Sequence, residues 1–570
     1  MSEDCLFLNI WAPRAALDQL YYSRLLPAGT STRRPQVPLL PVLVFFHGGG
    51  FTMGSGNSDI FNGTVLSSFN NIVVVTVQYR LGALGFLYSG SEDAPGNMGL
   101  WDQLEALKWV NENIEHFGGN PNHTTIAGQN GGAASVSYHL LSPYSRKYFQ
   151  KAIMQSGSAI SDWSYLTQTE AVARSNRLAQ VMSNECNDGA RTNSDTTVAD
   201  RINCLRSLDA MKFAQRQGEV LLQDESGSVG LFPYPFTPVI DGDFVPRNPR
   251  DMLKVGDFFN TSILLGIDKE EGALPVQLSN QGLKLLPNPL VPNRTFEGFD
   301  FVSYEGFINS YFHYYPRNGI QSFPVIEEGI RLIYSALSSN GEILMGRSVV
   351  DKVVQAVGDW ALTCPTITWA DAYAAAPDDF NVRVFLYAFT HRSSQNRWPA
   401  WTGVPHGEEL AFVWGEPFAN YAAGMEYTDE EKLLSRVMMA YWANFAKFGD
   451  PNRPDPSSRN QANSLSLRPW PEYDASLGQM TANINIETRV RQEGDGNIYG
   501  LKRKECAVSY HFRPILIKFL TISLLPVLEL FISSPYSNHS SETMWSRKSR
   551  YSSFGSLQHR LRSKATSPSL

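Results

Sequence analysis

One stretch constrains this chain more than any other: Thr124-Thr-Ile-Ala-Gly128-Gln129-Asn130-Gly131-Gly132-Ala-Ala-Ser-Val. A short β-branched run stops at a glycine, and a helix-forming run begins just past a second pair of glycines. The spacing predicts a strand, a sharp turn and a helix. The glycines let the backbone turn tightly and let the helix pack close to the strand. The side chain at the centre of the turn, Asn130, is thrust outward.

The surrounding sequence supplies a sheet for this turn to stand on. Val42–Phe46 and Ile72–Val77 are continuous apolar runs, read as strands buried on both faces, which is the parallel-sheet pattern. Asn97–Gln103 opens an amphipathic helix that Gly118-Gly119 stops, and Ala133–Leu141 reads as a second helix. Further strands are expected at Ile263–Gly266 and Val384–Ala388, and a helix at Leu433–Phe448. Strand, crossover helix and strand in succession imply a right-handed α/β arrangement. The 570 residues would suggest roughly four domains at about 150 residues each. No repeat or linker precedes about residue 507, so one large domain, residues 1–510, is the better reading, followed by a tail, 511–570. A composition of 43% hydrophobic and 18% charged residues excludes global disorder, a collagen and a polytopic membrane protein. The net charge of −7 argues against a nucleic-acid partner.

Three segments carry chemistry in a telling order. His47-Gly48-Gly49-Gly50-Phe51 follows a strand and can offer backbone N–H groups of Gly49 and Gly50, with that of Gly131, to an oxyanion. Ile267-Asp268-Lys269-Glu270-Glu271-Gly272 follows another and offers Glu271. Gly403-Val404-Pro405-His406-Gly407 offers His406. Strand, sharp turn and helix around residue 130 is the setting of a nucleophile elbow, G-x-S-x-G, followed along the chain by an acid and a base. With the matching segments Glu3-Asp4-Cys5-Leu6, Gln78-Tyr79-Arg80, Gly96-Asn97-Met98-Gly99-Leu100, Phe117-Gly118-Gly119-Asn120-Pro121, Gln155-Ser156-Gly157 and His391-Arg392-Ser393-Ser394, the chain resembles the type-B carboxylesterase/cholinesterase family over nearly all of residues 3–510. The resemblance implies an α/β-hydrolase fold, a large and mostly parallel central sheet flanked by helices, with no metal and no cofactor. It also implies disulfides Cys186–Cys204 and Cys364–Cys506, and leaves Cys5 matching half of a loop whose partner lies upstream.

The elbow departs from the family. Asn130 stands where the serine is expected, Gln129 where Glu is usual and Gly131 where Ala is usual. An amide nitrogen, its lone pair delocalised into the carbonyl, is a very poor nucleophile, and loss of a triad nucleophile costs on the order of 10⁶ in turnover. Ser135 lies inside the following helix and cannot reach the tip. Glu271 and His406 then read as a buried hydrogen-bonded pair kept for structure, because removing one strands the other. Family members with a dead elbow, of the gliotactin and neuroligin type, serve as recognition modules at cell–cell contacts. The resemblance therefore implies a non-catalytic adhesion protein, at the cell surface or secreted, whose partner is another cell-surface protein. The alternatives are an ester hydrolase with residual activity and a small-ligand carrier. By the same resemblance, Leu433–Phe448 is a candidate face for a homodimer.

The ends add expectations about surroundings. Met1-Ser-Glu-Asp leads straight into Cys5-Leu-Phe-Leu-Asn-Ile-Trp11, which alternates like a buried strand and has no signal-peptide pattern, so the chain reads as lacking its beginning. Sequons stand at Asn62, Asn122, Asn260, Asn293 and Asn538, of which the first four are glycosylation candidates. Residues 514–533 are mostly apolar and near the length of a membrane span, although Lys518 and Glu529 would each cost about 2.5–3.5 kcal/mol near the centre. From Arg513 onward eight basic and two acidic residues give +6, leaving −13 for residues 1–512, which fits a cytoplasmic basic flank behind a single span.

Overall fold

The structure, a computed structural model, describes residues 3–25, 38–185, 197–221, 232, 234–278, 304–306, 308, 323–375, 382–419, 424–456, 465–474, 480–492, 496–498 and 501–506. Cys186, Asn293, Asn538 and the segment 514–533 lie outside the described residues.

Among the described residues nine strands form one sheet: β1 (Leu8–Trp11), β2 (Leu40–Phe46), β3 (Val73–Val77), β4 (Gly119–Gln129), β5 (Lys151–Gln155), β6 (Ser262–Asp268), β7 (Val384–Phe389), β8 (Thr481–Ile484) and β9 (Asn497–Ile498). Their spatial order is β1-β3-β2-β4-β5-β6-β7-β8-β9. Every pairing from β3 to β8 is parallel, and the two outermost strands, β1 and β9, are antiparallel to their neighbours. The parallel strands are apolar on both faces because each face is covered by helices. Val42, Val44 and Phe46 enter one core while Leu43 and Phe45 enter the other, and Leu386 and Phe385 divide in the same way.

The N-terminal strand differs from expectation. All four residues of β1 are only half-buried, since an antiparallel edge strand has a neighbour on one side alone. Three helices matter for the site: α1 (Met98–Asn113), α2 (Gly131–Leu141) and α3 (Asp429–Phe448). Helix α2 lies against β2 so closely that a Cβ on Gly132 would sit 1.9 Å from the carbonyl oxygen of Phe46. Helix α3 is walled in. From Val437 to Lys447 every residue is buried, much of it in the second apolar layer, while Leu433, Arg436 and Phe448 of the stretch read as a homodimer face are half-buried. Cys364 and Cys506 are joined by a disulfide, Cys204 is disulfide-bonded, and Cys5 is a half-buried free thiol. Among the described residues no helix is long and apolar enough to cross a membrane.

Candidate functional site

All the chemistry-bearing segments follow the C-terminal ends of parallel strands, where open α/β sheets place their ligands. The glycine loop follows β2, Asn130 follows β4, Asp268 and Glu271 sit at and after the end of β6, and His406 lies in the loop that continues from β7. The last two loops are tied together by backbone. Glu270 N–H donates to the Val404 carbonyl at 3.0 Å, and Val404 N–H donates to Glu270 Oε2 at 2.8 Å.

Asn130 occupies the tip between β4 and α2 with φ 55° and ψ −118°. This is a sparsely populated conformation for a residue with a Cβ, worth about 1–3 kcal/mol of strain. Backbone bonds hold it there: Asn130 N–H donates to the Gln155 carbonyl and Ala134 N–H donates to the Asn130 carbonyl. The side chain is buried, and its two ends are engaged differently. Oδ1 accepts from Gly50 N–H at 2.9 Å and Gly49 N–H at 3.3 Å, while Nδ2 lies 3.0 Å from His406 Nε2. The glycine N–H groups can only donate, so they fix which end of the amide is oxygen. Gly131 packs beside them, its Cα side facing Gly50 N and Phe51 N.

His406 receives two amide donors on Nε2, from Asn130 and from Gln129 Nε2 at 2.9 Å. Nε2 therefore bears the lone pair, and the proton of the neutral ring lies on Nδ1, directed at Glu271 Oε2 2.6 Å away. Burial favours the neutral imidazole, yet the charge of Glu271 and its hydrogen bond outweigh that and raise His406 above its ordinary value. The other oxygen of Glu271 accepts from Asp268 N–H at 2.9 Å. The sequence-predicted residues Gly49, Gly50, Asn130, Gly131, Glu271 and His406 are thus brought to one place. Ser135 is not among them. It is fully buried in α2, donating to the Gly131 carbonyl and accepting from Gln103.

Three further residues belong to this place and are not legible as such in the sequence. Tyr234 lies over the glycine loop, where a Cβ on Gly50 would meet its ring at 2.0 Å. Burial pushes its hydroxyl up to about 12. Behind Glu271 sit Asp268 and Glu409, both buried. Asp268 Oδ2 accepts from Gly407 N–H at 2.7 Å, and Glu409 Oε1 accepts from Gln155 Nε2 at 3.0 Å. Their remaining oxygens, Asp268 Oδ1 and Glu409 Oε2, have no other donor. Burial and then the neighbouring carboxylate of Glu409 raise Asp268 well above the carboxylate range, so a proton on Asp268 donated to Glu409 satisfies both. No sequence spacing joins residue 234 or 409 to the elbow; an acid closing an otherwise apolar strand, as Asp268 does, is the one available signal.

Sheet, elbow and loops together define a protein with the layout of a serine hydrolase in which an asparagine stands at the tip. The profile of the Carboxylesterase family matches residues 1–501. The chain is 36% identical over 518 residues to the acetylcholinesterase of Bungarus fasciatus, covering 91% of this chain and 73% of the relative. It is 34% identical over 545 residues to the acetylcholinesterase of Danio rerio, covering 91% and 75%. The chain belongs to the carboxylesterase family.

Proposed function

We propose that this carboxylesterase-family domain acts by recognition and does not hydrolyse esters, serving as an extracellular, cholinesterase-like adhesion module for another cell-surface protein. The observation that carries the reading is the Asn130 carboxamide, which lies where a developing oxyanion would be held. A substrate carbonyl has to displace Oδ1 from the Gly49 and Gly50 N–H groups and then finds no nucleophile. The Cys364–Cys506 disulfide and the accessible sequon at Asn122 accord with an oxidising, secretory surrounding. Asn62 and Asn260 are half-buried, and glycosylation there is proposed with the same reading. The purified protein, mixed with a fluorophosphonate probe, is expected to remain unlabelled at any serine. Stoichiometric labelling sinks the proposal.

A second reading is an ester hydrolase. It is favoured by the intact Glu271–His406 pair and by relatives that are named acetylcholinesterase. Turnover of a simple aryl ester that is abolished by His406→Ala would establish it instead.

A further inference from the structure

The groups arranged around Asn130 are those an amide-cleaving enzyme aims at its substrate, and the amide they hold is the protein's own. Oδ1 sits on the two backbone donors, and Nδ2, the leaving nitrogen of such a reaction, is 3.0 Å from His406 Nε2, whose ring is braced by Glu271. The next residue is Gly131, with no side chain to obstruct attack by its nitrogen. As the first helical N–H of α2 it has no intrahelical acceptor. The ψ of −118° is decisive, because on a tetrahedral Cα it nearly eclipses Cβ with the Gly131 nitrogen. A five-membered ring closing from that nitrogen onto Cγ needs this eclipse, which ordinary residues avoid.

We infer that Asn130 is a self-modification site, deamidated by the oxyanion loop and the Glu271–His406 pair through a cyclic imide. The Gly131 nitrogen adds to Cγ, and the displaced carbonyl pair becomes an oxyanion on Oδ1 between the Gly49 and Gly50 N–H groups. The Gly131 N–H proton passes to His406 Nε2 and from there to Nδ2. The Cγ–Nδ2 bond breaks, its electron pair leaving with ammonia, and a succinimide remains. Water then adds to the imide. Breaking the bond from Gly131 N to Cγ gives an aspartate at position 130 with the chain intact, and breaking the bond to the main-chain carbonyl gives isoaspartate. In net, asparagine and water become aspartate and ammonia. The new carboxylate keeps the Gly49 and Gly50 donors and takes the place of an amide donor beside His406.

The test uses the full chain held in labelled, heavy-oxygen water, with the peptide containing residue 130 followed by mass spectrometry. The exposed Asn340-Gly341 pair supplies an internal rate for the same dipeptide. Relative to that pair, residue 130 is expected to gain one heavy oxygen about 10²-fold faster in the folded protein than in the urea-denatured chain, the low end of what positioned acid–base groups supply. His406→Ala is expected to remove that advantage. If the variant fails to fold, the folded-to-denatured comparison of the unaltered chain still decides. A folded rate at or below the denatured one overturns the inference, as does a folded His406→Ala protein that deamidates as fast as the parent.

Discussion

At the scale of the residue, Asn130 fills the oxyanion donors, which a serine would leave open, and it holds the histidine lone pair with an amide that cannot act as a nucleophile. Asn130→Ser frees the oxyanion donors and puts a hydroxyl beside His406, but Gln129 still competes for the Nε2 lone pair. Asn130→Ser is therefore expected to raise aryl-ester turnover roughly 10²-fold over background, well short of the full triad. The pair Gln129→Glu with Asn130→Ser, which removes the second amide donor, should exceed it; steady-state kinetics on the two variants check the order. Other histidines set a pH dependence. Burial lowers His47 to about 4 and His139 to about 3, against 6.5 for the exposed ring. The unfolded chain then binds more protons than the folded one below 6.5, so stability is complete above that value and declines as pH falls toward 4 and 3. In His139→Gln, denaturation measured across pH 6.5 to 4 is expected to lose about one proton from that slope. The identity of the elbow and its partners is legible in the sequence, since each rides on its own local glycine pattern. Tyr234 and Glu409 arrive through tertiary folding, which no local pattern records.

At the scale of the element, helix α3 begins with a reciprocal cap. Thr428 Oγ1 accepts from Glu431 N–H, and Glu431 Oε2 accepts from Thr428 N–H. Glu431 also takes hydrogen bonds from Ser394, both backbone and hydroxyl. Burial alone would raise this carboxyl, yet those donors hold it below its ordinary value. Thr428→Ala is expected to cost about 1 kcal/mol in urea denaturation. Glu431→Ala should cost more, because it strands the Ser394 and Thr428 N–H groups. The strands differ in how openly the sequence announces them. β2 and β3 are unbroken apolar runs, legible nearly to their ends. β5 is hidden because Lys151-Ala-Ile-Met-Gln155 carries polar ends; burial lowers the Lys151 ammonium to about 8. β8, Thr481–Ile484, is too short to show a period. The position of helix α3 is legible and its surroundings are not, since an apolar stripe alone does not say that the polar side is covered too.

At the scale of the whole molecule, the Cys364–Cys506 disulfide spans 142 residues and joins the helix before β7 to the last described segment. Closing so long a loop is worth on the order of 5 kcal/mol through the unfolded chain. Cys364→Ser with Cys506→Ser is expected to lower the melting temperature. A reductant should lower that of the parent by more than that of the double variant, as calorimetry can record. A more distant consequence follows from the tie between Glu270 and Val404. Those bonds hold the acid and histidine loops in register by backbone and by a carboxylate that is not itself the acid, so the register does not depend on the residue at the elbow tip. Asparagine and serine codons differ by one base, and so do those of glutamine and glutamate. In genetic terms residues 129 and 130 stand two point substitutions from the Glu-Ser of the family's elbow, with the framework to receive them already in position.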